Sequence, residues 1–150
     1  MGIEKDINQY KFRNEYQKST INLIYTFNWM TEQIKKLHEQ FDITSQQFNI
    51  LRILRGAGAP LSTLQIRQRM LDKMSDSSRI VDRLVKKELA KKVICKEDRR
   101  LVDVTISEKG LHLLQIMDKH ENEMDELFKN LSPEEAKTLN QILDKIRGSE

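Results

Sequence analysis

A single cysteine, Cys95, is present, so no internal disulfide can form and packing alone must hold the chain together. No apolar run approaches the roughly 20 residues that a membrane-spanning helix needs. The amino-terminal stretch MGIEKDINQY lacks the apolar segment of a secretory signal. These absences predict a protein of the reducing cytoplasm with no membrane partner. Low-complexity tracts and internal repeats are also missing. Catalytic signatures are few: the cysteine has no neighbouring histidine, and neither Gly-x-Ser-x-Gly nor a glycine-rich phosphate loop occurs. Acidic pairs such as Glu134 and Glu135 stand where a helix start explains them. No enzyme is expected. His38, His112 and His120 are scattered, so neither a metal site nor a cofactor is expected, and Cys95 beside Val93 and Ile94 reads as a small buried thiol. With 38% hydrophobic residues, 150 residues support one domain with a modest core, which oligomerisation would supplement.

What the chain does have is charge, unevenly placed. The net +3 conceals nine basic against four acidic residues from Arg79 to Arg100, and six basic against ten acidic from Glu108 to Glu150. A basic middle and an acidic end suit a molecule that offers one surface to a polyanion and assembles through another.

From about residue 7 to 37 there is no glycine or proline, and Tyr16, Thr20, Leu23, Phe27, Met30, Ile34 and Leu37 step by three and four, which predicts a long amphipathic helix. Ile21, Ile24 and Tyr25 widen its apolar surface beyond what one neighbour covers, favouring burial against a partner subunit. Thr44 with Gln47 forms a capping box for a second helix, which carries Phe48, Leu51 and Leu54 inward and ends near Arg55 before the breaker Gly56-Ala57-Gly58-Ala59-Pro60. Ser62 with Gln65 opens a third, to about Leu71, with a staple between Leu61 and Ile66. Ser75 is the expected cap of a fourth, to about Leu89, and Asp76, whose charge suits the helix amino terminus, is expected to act as a cap or specificity element. Val93-Ile94-Cys95 and the alternating Val102 to Ile106 then form a hairpin whose tip, Lys96 to Arg100, lacks tight-turn residues and so protrudes. A helix from Ser107 to about Asn130 follows. A last one opens at Leu131-Ser132-Pro133-Glu134-Glu135 with its apolar set at Ala136, Leu139, Ile142, Leu143 and Ile146. Two short helices joined by a tight turn and followed by a hairpin make a winged helix-turn-helix.

The pattern Asp98-Arg99-Arg100 followed by Val104, Ile106-Ser107, Lys109 and Gly110 resembles the wing signature of MarR-family transcriptional regulators. Ser78-Arg79 ahead of Asp82-Arg83-Leu84 resembles their recognition helix. Where that family usually places glycine after the terminal lysine, this chain has Glu88. The resemblance spans nearly the whole chain. It implies a mainly α fold with a small two-stranded β-wing: a single domain over 1–150, with dimerisation helices at about 7–37 and 107–148 and a DNA-binding lobe at about 44–106.

On the 75–89 helix, Ile80, Val81, Leu84 and Val85 form one stripe and Arg79, Asp82, Arg83 and Lys86 another, the candidate reading face. Ser75, Ser77 and Ser78 are short enough to let the backbone approach a groove. Arg79 is the first candidate for a base contact because a guanidinium can bond guanine O6 and N7 together, whereas Lys73, Lys86, Lys87 and Lys92 suit phosphate. In the wing, Asp98 would repel phosphate and is expected to pair with Arg100 or a recognition-helix arginine, leaving Arg99 as the minor-groove finger, with Arg99 and Arg100 open to exchanging roles. The implied function is a homodimeric repressor of a near-palindromic operator in double-stranded DNA. The resemblance also implies a small aromatic or phenolic effector, for which Tyr25, Trp29, His38 and Phe41 are the candidate lining. The rival readings are a winged-helix module for an acidic protein partner and a constitutive DNA binder without effector.

Overall fold

Most of the longer helices in this chain start at one local device, a short polar side chain that accepts from the backbone N–H three residues on. In the computed structural model, which describes residues 2–98 and 100–149, Thr44 accepts from Gln47, Ser62 from Gln65, Ser107 from Gly110 and Ser132 from Glu135, each at 3.0–3.1 Å. At Thr44, Ser62 and Ser132 the third-residue side chain returns the bond, completing the three expected capping boxes. The elements are α1 (Ile3–Asp6), α2 (Glu15–Glu39), α3 (Ser45–Ala57), β1 (Leu61–Ser62), α4 (Thr63–Arg69), α5 (Ser77–Lys86), β2 (Ala90–Ile94), β3 (Val102–Ile106), α6 (Glu108–Asp118), α7 (Glu121–Asp125), a 3-10 turn (Glu126–Phe128) and α8 (Pro133–Ile146).

The chain divides into two units within α2, Met1–Leu37 and His38–Glu150. In the first, the continuous helix expected from residue 7 is interrupted. Asn8 takes a left-handed conformation, which asparagine tolerates, and the segment before α2 is not helical. Asn14 then accepts from Gln17 N at 2.9 Å where α2 starts, and an ion pair between Lys18 and Glu4 ties α2 back to α1. Glu4 is held below and Lys18 above its ordinary pKa, chiefly by that shared hydrogen bond. The apolar stripe of α2 is on the outside: Tyr16 and Phe27 are 81% and 67% exposed.

The core lies in the second unit, where Ile50, Leu51, Leu54, Ile66, Leu84 and Leu114 from α3, α4, α5 and α6 are sealed from solvent together with Val104 of β3. Arg55 donates twice to Asp118, at 2.9 and 3.2 Å, clasping the end of α3 to the end of α6. Gly58, left-handed at the end of α3, carries that helix two residues beyond the expected Arg55.

Sheet and helix boundaries also depart from expectation elsewhere: β2 begins at Ala90 rather than Val93 and ends before Cys95. The hairpin of β2 and β3 gains a third strand, in the order β1-β3-β2, with Leu61 opposite Val104 and Ser62 opposite Asp103. Two residues carry no periodicity, so sequence pattern cannot announce β1. The fourth helix starts at Ser77 because Asp76, also expected as a cap, takes that place rather than Ser75, accepting from Arg79 N at 3.2 Å. It ends at Lys86 in a paired closure: Glu88 N donates to Val85 O and Leu89 N to Leu84 O, both at 3.0 Å, around a left-handed Glu88. The helix expected from Ser107 to Asn130 is broken, since Lys119 and His120 donate three residues back, to Ile116 and Met117, and close α6.

Candidate nucleic-acid interface

The face of α5 turned from the core is built by simple helical spacing. Ile80, Val81 and Leu84 are buried, which forces Ser78, Arg79, Asp82, Arg83 and Lys86 outward. Among the described residues no hydrogen bond or ion pair engages the side chains of Arg79, Arg83 or Lys86. Three cationic groups therefore project from one face of a capped helix, able to donate to phosphate oxygens or base edges.

Two of the expected site serines do not belong to this surface. Ser77 is buried and its hydroxyl meets no partner among the described residues. Ser75 is also buried, where it accepts from Gln46 Nε2 at 3.3 Å. Spacing misplaced them because the helix begins one residue after Asp76 and its first turn faces inward at Ser77. The turn between α4 and α5 instead presents Leu71 and Met74, both at least 85% exposed. They fit no periodic stripe, and no sequence signal marked them.

The expected phosphate lysines are partly engaged. Lys87 is half-buried and points at the loop after α2, donating to Asp42 O with its ammonium 3.8 Å from the Asp42 carboxylate. Lys92, on β2, donates to Asp82 Oδ1 at 2.6 Å. In the wing, Arg100 donates to Asp98 through Nε at 3.0 Å and a terminal nitrogen at 2.9 Å, while its backbone N–H also reaches Oδ1. Asp98 thus takes the first of its two anticipated partners, and the guanidinium beside it holds its carboxyl below the usual range. The Arg100 side chain stays largely exposed. Arg99 lies outside the described residues. Cys95 is half-buried rather than buried, at the end of the hairpin.

The candidate effector residues are divided between the two units. Tyr25 and Trp29 belong to the first unit and are nearly half exposed. His38 is buried in the second unit, tilted against Phe48 with ring centroids 4.4 Å apart, with Nδ1 2.9 Å from Ser45 Oγ. Burial holds its pKa below the ordinary value. Phe41 forms a T-shaped pair with His120 and lines a cavity of about 320 Å³ with Asp42, Lys87, Leu89, His112 and Ile116. His38 does not line it. Among the described residues no three metal-binding side chains converge, and no helix is long and apolar enough to cross a membrane.

This arrangement has close parallels. The sequence model of the MarR family matches residues 43–102, the span from before α3 to the start of β3. The HTH-type transcriptional regulator MhqR of Bacillus subtilis is 29% identical over 131 residues, which is 86% of this chain and 89% of that protein. Among solved structures, a cysteine-to-serine mutant of Escherichia coli MarR complexed with operator DNA gives a TM-score of 0.80 at 22% identity, covering 91% of this chain and 99% of the other. Bordetella bronchiseptica BpsR, solved for the regulation of its DNA binding by 6-hydroxynicotinic acid, gives 0.72 at 23% identity, covering 83% and 95%. At such identities the structural matches establish a shared fold.

Proposed function

Because the chain belongs to the MarR family of DNA-binding transcriptional regulators, we propose that it acts as a homodimeric, ligand-responsive repressor. Two α5 helices enter successive major grooves of a near-palindromic operator. The observation that carries this reading is the row Arg79, Arg83 and Lys86 on the solvent face of α5, without partners among the described residues and followed in the chain by the β2–β3 hairpin. Arg79 reads a base, Ser78, Arg83 and Lys86 follow the groove and its phosphates, and Lys92 with the wing arginines Arg99 and Arg100 holds the adjacent backbone. Residues 1–150 work as one functional domain, with the lobe at about 44–106 on DNA and the helices on either side of it in the dimer. Support for the dimer comes from apolar side chains that each helix leaves in water, Tyr16 and Phe27 on α2 and Ile142 and Ile146 on α8. Support for a small aromatic effector comes from the cavity beside Phe41, whose size suits such a ligand, and from BpsR, whose DNA binding responds to one.

The test selects a duplex from a random pool and measures anisotropy against a scrambled duplex at about 150 mM salt. A preference of about a thousandfold that Arg79→Ala sharply reduces is expected, with sedimentation as a dimer. Equal, weak binding to both duplexes overturns the reading and leaves the fold as a module for an acidic protein partner.

A further inference from the structure

Asp82 is an anomaly on the surface just described. It stands on the outward face of α5, three residues from Arg79 and four from Lys86, where a side chain facing DNA meets phosphate and base edges. A carboxylate there opposes DNA of any sequence. In this structure its charge is answered by Lys92 of β2, whose ammonium lies 2.6 Å from Oδ1, so an acid of the reading helix and a base of the wing neutralise one another. Both side chains are about half exposed, and an ion pair in that setting holds weakly and exchanges readily. Duplex phosphate is the competitor with the opposite charge for Lys92. Once Lys92 turns to phosphate, Asp82 keeps an unanswered negative charge in the groove. The base-edge groups that can answer it are the exocyclic amino donors, N4 of cytosine above all and N6 of adenine.

We propose that Asp82 is a specificity-determining residue and Lys92 its counter-charge: pairing silences the carboxylate off DNA, and the phosphate-driven release of Lys92 penalises every site that lacks an amino donor opposite Asp82. The inference rests on α5 as the reading helix. It assigns to Asp82 the rejection of wrong sequences, where Arg79, Arg83 and Lys86 supply attraction.

The experiment titrates wild type, Asp82→Asn, Lys92→Gln and Arg79→Ala against the selected and scrambled duplexes over a series of salt concentrations. Asp82→Asn is expected to bind scrambled duplex about three- to tenfold tighter, while its affinity for the selected duplex rises less or falls. Replacing the cytosine or adenine opposite Asp82 by a base without an amino donor should weaken wild type and leave Asp82→Asn nearly unchanged. Equal tightening on both duplexes would reduce Asp82 to background charge and overturn the proposal. So would matched losses of thermal stability in Asp82→Asn and Lys92→Gln with weaker binding to both duplexes, the behaviour of a mere clamp between helix and strand. If instead Arg79→Ala leaves the selected duplex bound as before, the reading-helix assignment itself fails, an outcome distinct from failure of Asp82.

Discussion

Gly110 is pressed against the carbonyl of Leu89: a methyl placed on its Cα would stand 2.3 Å from that oxygen and 2.8 Å from Cγ1 of Ile106. The same carbonyl accepts from Ser107 N at 3.1 Å, and Ser107 Oγ donates to Glu88 O at 2.7 Å. The exit of α5 and the exit of the β2–β3 wing are thus locked at one point by close backbone approach, and only glycine permits it. Gly110→Ala is expected to destabilise the protein by about 1–3 kcal/mol, because the obstacle is backbone and cannot swing away. Urea unfolding of the variant beside wild type checks this, and an unchanged midpoint would refute it.

Glu88 occupies the left-handed position of the closure that ends α5, with φ of 61°, where the resemblance leads one to expect glycine. An L side chain pays for that conformation, and the 3.8 Å pair that Glu88 makes with Lys109 is too exposed to offset it. Glu88→Gly should therefore stabilise the fold, by about 0.5–1 kcal/mol once the greater freedom of glycine in the unfolded chain is subtracted. A raised melting temperature in calorimetry is the expected result. A lowered one would mean that the Glu88 side chain contributes more than its geometry indicates.

How far the sequence disclosed this molecule depended on the range of each signal. Capping boxes at Thr44, Ser62 and Ser132 are local hydrogen-bond patterns, and each appears where spacing placed it. The inward stripe of α5 was legible for the same reason, since Ile80, Val81 and Leu84 follow helical period. Tertiary pairing was not: β1 exists only because Leu61 meets Val104, a partner more than forty residues away. Nor could spacing tell Ser75 from Asp76 as cap, because both are good caps and the choice depends on Ser75 being drawn under the surface toward Gln46. The engagement of Lys92 by Asp82 was hidden likewise, because helix and strand meet only after folding.

Asp98 and Arg100 share two side-chain hydrogen bonds that set the direction of the wing guanidinium. The carboxyl pKa lies below the ordinary value because Arg100 donates to the charged form, so the pair is intact above the usual carboxylate range and is lost only as pH falls through that lowered pKa. Binding to DNA should accordingly show no inflection from this pair between about pH 6 and 8. Asp98→Asn should weaken the selected duplex by about three- to tenfold through a misdirected Arg100. An unaltered affinity, measured by anisotropy at fixed salt, would show that the pair orients nothing that DNA contacts.

His38 provides the pH dependence that the wing pair does not. Its ring is buried against Phe48 beside Ser45, and desolvation lowers its pKa, so the folded state prefers it neutral. In the unfolded chain the same imidazole takes up a proton near its ordinary value of about 6.5. Between the two pKa values the unfolded state binds more protons, so stability is complete above about pH 6.5 and declines as pH falls toward the folded value. Wild type should therefore lose more melting temperature between about pH 7.5 and 5.5 than His38→Gln, which keeps a polar group near Ser45 without a titrating one. His38→Gln will start lower at the higher pH because its side chain fills the space less well, and the decisive quantity is the difference in slope. Parallel slopes for the two proteins would show that another group governs the acid response and that His38 titrates as it does in water.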